Sequence, residues 1–183
     1  MRKSSLWLGI ILLLTLAGCG YTTRSNISLK YTTVYITPFT NKIDITQETS
    51  IGSRYKIYRP LLETDVTRAV NTRFLLDGNL KPIRKESADL ILKGELVEFN
   101  RDAVRYSDDD EVEEYRINVR VNLSLWDTKE NKLVWEEKNF TGTASYFTSF
   151  YAVSAERKTE GAAVNEAITD LARRIVERTV EEW

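Results

Sequence analysis

Hydrophobic residues recur along this chain with two different periods, and the changes between them outline a fold. In "YRINVRVNLSLW", Tyr115, Ile117, Val119, Val121, Leu123 and Leu125 alternate with Arg116, Asn118, Arg120, Asn122 and Ser124. A strict period of two sets one face of a strand against a core and the other in water, the mark of an antiparallel sheet covered on one side. The polar run "DTKENK", 127–132, is a turn signal, so Leu133 to Phe140, extending toward Tyr146, is predicted to return as the hairpin partner. Upstream, Thr33 to Phe39 reads as a β-branched and aromatic strand, Leu80 to Ile83 as a short one, and Ala88 to Phe99 as a longer one. Leu90, Leu92 and Leu96 share a face of that longer strand, which Gly94 interrupts. A glycine there predicts a bulge or a close approach by an aromatic ring or a helix. The polar stretch from 42 to 59 is assigned no regular structure.

Two segments switch to helical spacing. Pro60 suits the first position of a helix, where a missing N–H costs nothing, and Leu62, Val66, Ala69, Val70 and Phe74 follow at intervals of three and four up to Asp77-Gly78. Val164, Ala167, Ile168, Leu171, Ala172, Ile175 and Val180 form a second stripe, with Glu166, Asp170, Arg173, Arg174, Glu177 and Arg178 on the other side. The order predicts an α+β two-layer sandwich. Two helices lie on one face of a mixed, largely antiparallel sheet of four to five strands, forming a single domain over 33–183.

The first 32 residues follow neither period. Arg2 and Lys3 precede an apolar run, Leu6 to Ala17, long enough for the core of an export signal and too short to span a bilayer. The run ends in Leu16-Ala17-Gly18-Cys19, which matches the bacterial lipobox, so residues 1–18 are expected to be removed and Cys19 acylated. Cys19 is the sole cysteine of 183 residues, which excludes an intramolecular disulfide and fits a tether. Two or three acyl chains hold a protein stably on a membrane where one binds marginally. Gly20 stands where aspartate would signal inner-membrane retention, so outer-membrane delivery is expected, with residues 19–32 as a short lipidated linker on the periplasmic side.

Charge and composition narrow the chemistry. Without the leader, 24 basic side chains face 27 acidic ones, a balance unsuited to binding nucleic acid. There is no histidine, so the usual general base near neutral pH is missing, and an acylated cysteine is no nucleophile. No catalytic residue, metal site or cofactor is predicted beyond the acyl lipid on Cys19. "SDDDEVEE", 107–114, is acidic enough for paired-carboxylate hydrolysis or calcium, but it lacks EF-hand spacing and reads as an exposed hairpin tip.

Together, "CGY", "VYITPFTN", "ADLILKGELVEFNRDAVRY", "EYRINVRVNLSLWDTKENKLVWEEKNFTGTASY" and the terminal "AAVNEAITDLARRIVERTVEEW" resemble the lipopolysaccharide-assembly lipoproteins of the LptE family. The resemblance implies a non-enzymatic plug in the lumen of the outer-membrane β-barrel LptD, assisting barrel assembly and lipopolysaccharide insertion. The long 42–59 connection departs from the compact one such a protein would carry. Arg101, Arg105, Arg116 and Arg120 are candidates for converging on lipopolysaccharide phosphates, with Lys129 and Lys132 at the hairpin tip. The alternative for the arginines is cross-strand pairing with carboxylates such as Glu95 and Glu136. The uncharged aromatic run "SYFTSFY" offers Tyr146, Phe147, Phe150 and Tyr151 as partner contacts, or as packing beneath the second helix. A different envelope module of similar layout, such as an activator of a peptidoglycan synthase, is the competing reading; its long periplasm-crossing stalk is missing here.

Overall fold

A computed structural model describes residues 30–43, 59–148 and 158–180, and the backbone of 54–56. Cys19, Phe150 and Tyr151 lie outside the described residues. The strands are β1 (Thr33–Ile36), β2 (Thr40–Asn41), β3 (Arg54–Lys56), β4 (Lys81–Pro82), β5 (Leu90–Tyr106), β6 (Val112–Asp127) and β7 (Lys132–Phe147). Among the described residues, two α-helices, α1 (Leu62–Asp77) and α2 (Glu160–Val180), complete the fold with one 3-10 turn at Lys85–Ser87. The sheet order is β4-β1-β5-β6-β7, with β2 and β3 also on β5. β1 runs parallel to β4 and β5, and β5, β6 and β7 form an antiparallel meander. This is the predicted α+β sandwich, with a mixed sheet that gains two short strands.

Several boundaries differ from the sequence reading, each for a local reason. The first strand ends at Ile36 because Pro38 breaks the ladder; Phe39 turns inward, its amide donating to Thr67 Oγ1 at 2.9 Å. The stretch assigned no regular structure holds β3, whose Arg54, Tyr55 and Lys56 pair with Asp102, Arg101 and Asn100. Pro60 is not the first helical residue. Leu61 follows it in the left-handed region at φ 60°, and its carbonyl accepts from the amides of Thr64 and Asp65, so α1 begins at Leu62. At the other end Gly78 takes φ 77° and its N–H bonds the Phe74 carbonyl, so the helix stops near Asp77-Gly78 as expected, through an αL cap. β5 and β6 run further than their apolar patterns, meeting at a turn where Ser107 Oγ accepts from the amides of Asp109 and Glu111. The acidic run is thus a hairpin tip, as predicted.

The core lies between the helices and one sheet face. Leu62, Val66, Val70 and Phe74 of α1, and Ala163, Ala167, Leu171, Ile175 and Val176 of α2, are buried against Leu90, Leu92, Leu96, Ile117, Val119, Val121 and Leu125. Each fully buried aliphatic contributes roughly 1.5 to 3 kcal/mol before entropy is subtracted. Gly94 is the close approach that the sequence anticipates: a Cβ there would enter the Phe39 ring, which lies across the strand. Gly94→Ala is therefore expected to cost about 1–3 kcal/mol in a denaturant titration. Most of that loss should vanish when Phe39 is shortened to Leu, and additive effects in the double-mutant cycle would contradict this packing.

Helix α2 runs antiparallel to β7. Its Glu160 meets Tyr146 and its Arg178 meets Glu137. At about 1.5 Å per residue α2 spans roughly 31 Å, whereas the 17 residues of β5 at about 3.3 Å each span roughly 56 Å. The meander therefore overshoots its cover, and Val104, Tyr106 and Phe147 stand exposed in the overhang.

Candidate functional site: the overhanging end of the meander

Register decides which of the candidate arginines can meet. Leu96 pairs with Val121 and Phe99 with Val119, a shift of one residue that marks a bulge between Leu96 and Glu98. Past the bulge Phe99, Arg101 and Ala103 face the helices, until a second shift between Ala103 and Arg105 returns Arg105 to the open face. Arg101 therefore shares a row with Ile117 and Ala144 on the helix side, while Arg120 pairs with Glu98 and Arg116 with Asp102 on the opposite face. The four arginines do not converge. That expectation fails for Arg101, because the residue inserted before Glu98 exchanges the faces of the strand as far as the second shift at Ala103/Arg105.

Most of the candidate cations are also engaged. Arg101 Nη1 donates to Glu160 Oε2 at 2.7 Å and to Tyr146 Oη at 3.3 Å, and its guanidinium lies 4.5 Å from the centroid of Tyr115. Tyr115 and Tyr146 stack at 5.7 Å. Burial pushes the Tyr146 phenol up, opposed by Arg101 and supported by Glu160. This cluster pins the start of α2 to the sheet, so Arg101 and Tyr146 are packing residues. Arg120 pairs with Glu98 and donates to Thr141 Oγ1 at 3.3 Å, while Asn118 Nδ2 donates to Asp102 Oδ2 at 2.9 Å. Cross-strand pairing thus holds for Arg120, with Glu98 in place of Glu95 or Glu136. Lys129 Nζ sits 2.8 Å from Asp89 Oδ1 and is likewise occupied.

What is left on the open face forms a patch at the overhang. Arg105, Glu114 and Phe147 make one cross-strand row; Asp102, Arg116 and Ser145 make the next. Arg105 Nε is 3.7 Å from Glu114 Oε2, and its guanidinium lies 5.7 Å from the Phe147 centroid. Phe147 is 44% and Tyr106 49% exposed. Arg116 is exposed and, among the described residues, carries no ion pair; the same holds for Lys132 at the opposite end of the meander. Of the aromatic run, the structure assigns Tyr146 to packing and Phe147 to the surface. Tyr106 and Val104 were missed by the sequence reading, because they lie in a strand end beyond the apolar pattern.

The other end of the sheet is closed by a latch. Tyr31 Oη donates to Asp127 Oδ2 at 2.7 Å, and the amides of Lys129 and Glu130 donate to Asp127 Oδ1 at 2.8 and 3.0 Å. Burial pushes the Asp127 carboxyl up, but the Tyr31 hydroxyl, the two amides and the Lys30 ammonium outweigh it and hold the group below its usual range. The Lys129 ammonium does the same for Asp89 against its burial, helped by the Thr32 amide and the Thr33 hydroxyl, and holds it well below the carboxylate range.

Among the described residues no group of three acidic, histidine or cysteine side chains could hold a metal, and no helix is long and apolar enough to cross a membrane. The site offers exposed aromatic area and two guanidinium groups beside an acidic hairpin tip. A family model described as lipopolysaccharide-assembly, LptE, matches residues 31–179. The chain belongs to the LptE family. It shares the fold of a Xanthomonas campestris protein of family model DUF330 at 14% identity, covering 81% of this chain and 83% of that one, with a TM-score of 0.51. A minor lipoprotein from Acinetobacter baumannii matches at 15% identity over 82% and 90% of the chains with a TM-score of 0.47. The rare lipoprotein B of Shewanella oneidensis matches at 17% over 79% and 92%, with a TM-score of 0.42. No curated protein matches. LptE members are envelope lipoproteins of lipopolysaccharide assembly and act without covalent chemistry, so the protein is an LptE-like envelope lipoprotein.

Proposed function

We propose that this protein is held on the periplasmic side of the outer membrane by acyl chains on Cys19 and partners an LptD-type β-barrel, assisting its assembly and the insertion of lipopolysaccharide. The family match over 31–179 carries the reading, and the lipobox at Leu16 to Cys19 supports it. The overhang is the surface we assign to the barrel and its cargo. It combines exposed aromatic area from Tyr106 and Phe147 with the guanidinium groups of Arg105 and Arg116. Aromatic and arginine side chains are the types that anchor interfaces, and the patch owes nothing to the core.

Depletion of the protein is expected to leave lipopolysaccharide in the periplasm and to reduce correctly assembled barrel. Normal surface lipopolysaccharide, with no barrel co-purifying with the acylated protein, would sink the proposal. Within the intact protein, Phe147→Asp is expected to weaken barrel co-purification about tenfold or more while leaving the thermal midpoint nearly unchanged, because Phe147 is exposed. Equal recovery of barrel with wild type and variant would remove the overhang from the interface.

A further inference from the structure

The solvent side of the helix pair holds a groove that the sheet does not touch. Arg59, Asp65, Arg68, Ala69, Thr72, Arg73 and Leu76 line it with Asn165, Ile168, Thr169 and Ala172, around a volume of about 510 Å³. The helices send their large side chains, Val66, Val70, Phe74, Leu171 and Ile175, into the core. Along the outer seam they meet through Ala69, Thr72, Thr169 and Ala172, and these short side chains leave the depression. Arg59 closes one end, donating to Asp65 Oδ2 at 3.2 Å and to Asn165 Oδ1 at 3.1 Å. Leu76, 74% exposed, stands at the other. The volume is of the size that holds a small organic ligand.

Charge and hydrogen bonding in the groove are unbalanced. Three guanidinium groups face one carboxylate, Asp65, which Arg59 and Arg68 already share at 3.2 and 3.6 Å. Arg73 Nε is buried and, among the described residues, has no hydrogen-bond partner. A buried donor left unpaired is costly, and a guanidinium donor is best satisfied by an anionic oxygen.

We propose that the groove between α1 and α2 binds a phosphate-bearing amphiphile, its phosphate on Arg68 and Arg73 and its apolar part along Ala69, Ile168, Ala172 and Leu76. The excess of about two positive charges matches a phosphomonoester, which carries roughly −1.5 to −2 near pH 7. A carboxylate supplies one charge and two oxygens, too few for two guanidinium groups and the neighbouring hydroxyls of Thr72 and Thr169. The site is separate from the overhang and does not depend on the barrel reading.

The test titrates dodecyl phosphate into the acylated mature protein in a neutral maltoside detergent, following by NMR the Arg73 Nε–H resonance in wild type and the Ala69, Thr169 and Ala172 amide resonances in wild type and variants alike. A saturable shift is expected, with affinity lowered about tenfold or more by Arg73→Gln and by Thr72→Phe, which closes the groove from an exposed position. Inorganic phosphate and dodecanol should each require at least about a hundredfold higher concentration, since each satisfies half of the site. Absence of a saturable shift, or equal affinities in wild type and both variants, overturns the proposal. Equal affinity for inorganic phosphate overturns the amphiphile and leaves a bare anion site.

Discussion

Gly142→Val is expected to lower stability by about 3 kcal/mol, near the upper end of what overpacking costs. For a domain of this size the thermal midpoint should fall by roughly 6–12 °C. Strand β7 crosses under α2 at Gly142, where a Cβ would lie 2.5 Å from the Ala167 carbonyl oxygen and 2.6 Å from the Leu171 nitrogen. Both are backbone atoms. At Gly94 the obstacle is a phenyl ring that can be shortened, whereas here the helix itself must rise. On either side of the crossing, Asp170 accepts from the Thr143 amide at 3.1 Å and Arg174 donates to the Thr141 carbonyl, so those outward edge groups of β7 are occupied by the helix. Lifting α2 would break both bonds and expose an edge able to pair with another chain. The measurement is a denaturant titration of Gly142→Ala and Gly142→Val. Loss growing with side-chain size supports the close crossing, and two variants as stable as wild type would refute it.

The same crossing shows what sequence could and could not reveal. Period-two and period-3.6 patterns mark the segments that bury one face, so β6 was legible from Ile117 to Leu125, β7 from Leu133 to Phe140, α1 from Leu62 to Phe74 and α2 from Val164 to Ile175. Strand ends beyond the core were not. Residues 100–106 and 112–114 pair through backbone bonds, which carry no hydrophobic signature, so the overhang and its exposed Tyr106 could not be read. The short β3 was hidden for the same reason, since it joins β5 over three residues with no apolar alternation of its own.

The site was harder still. Glu98, Arg120 and Arg101 are simple to pick from the sequence, yet their grouping depends on a bulge between Leu96 and Glu98 that no proline or glycine announces at that position. Counting by twos from Leu96 places Arg101 on the open face; the bulge places it beneath α2 with Glu160. The groove between the helices was legible in part. Ala69 and Ala172 sit on the apolar stripes, and small residues at a helix seam leave space, but the arginines beside them look like an ordinary solvated face until the helices are packed.

Asp127→Ala is expected to destabilise the protein by about 3 kcal/mol, because it strips the buried acceptor from the Tyr31 hydroxyl and two turn amides at once. Asp127 is 3% exposed, so water cannot replace it without opening the turn. Asp127→Asn keeps an acceptor and should cost less, and it separates charge from hydrogen bonding. The acid response follows from the direction of the shifts. Asp127 and Asp89 both ionise more readily in the folded protein than in the unfolded chain, where an aspartate titrates near about 3.9. Their contribution is complete above the unfolded value and declines as pH falls through it, because the unfolded chain takes up protons first. It is gone once pH drops below the folded values. The stability gap between wild type and Asp127→Asn should therefore be constant from pH 7 to 5 and shrink by pH 3. A gap of equal size at pH 7 and pH 3 would show that the Asp127 charge takes no part in the latch. Tyr31 lies two residues before β1. Weakening its bond to Asp127 should loosen β1 first, seen as faster amide exchange in β1 than in β6.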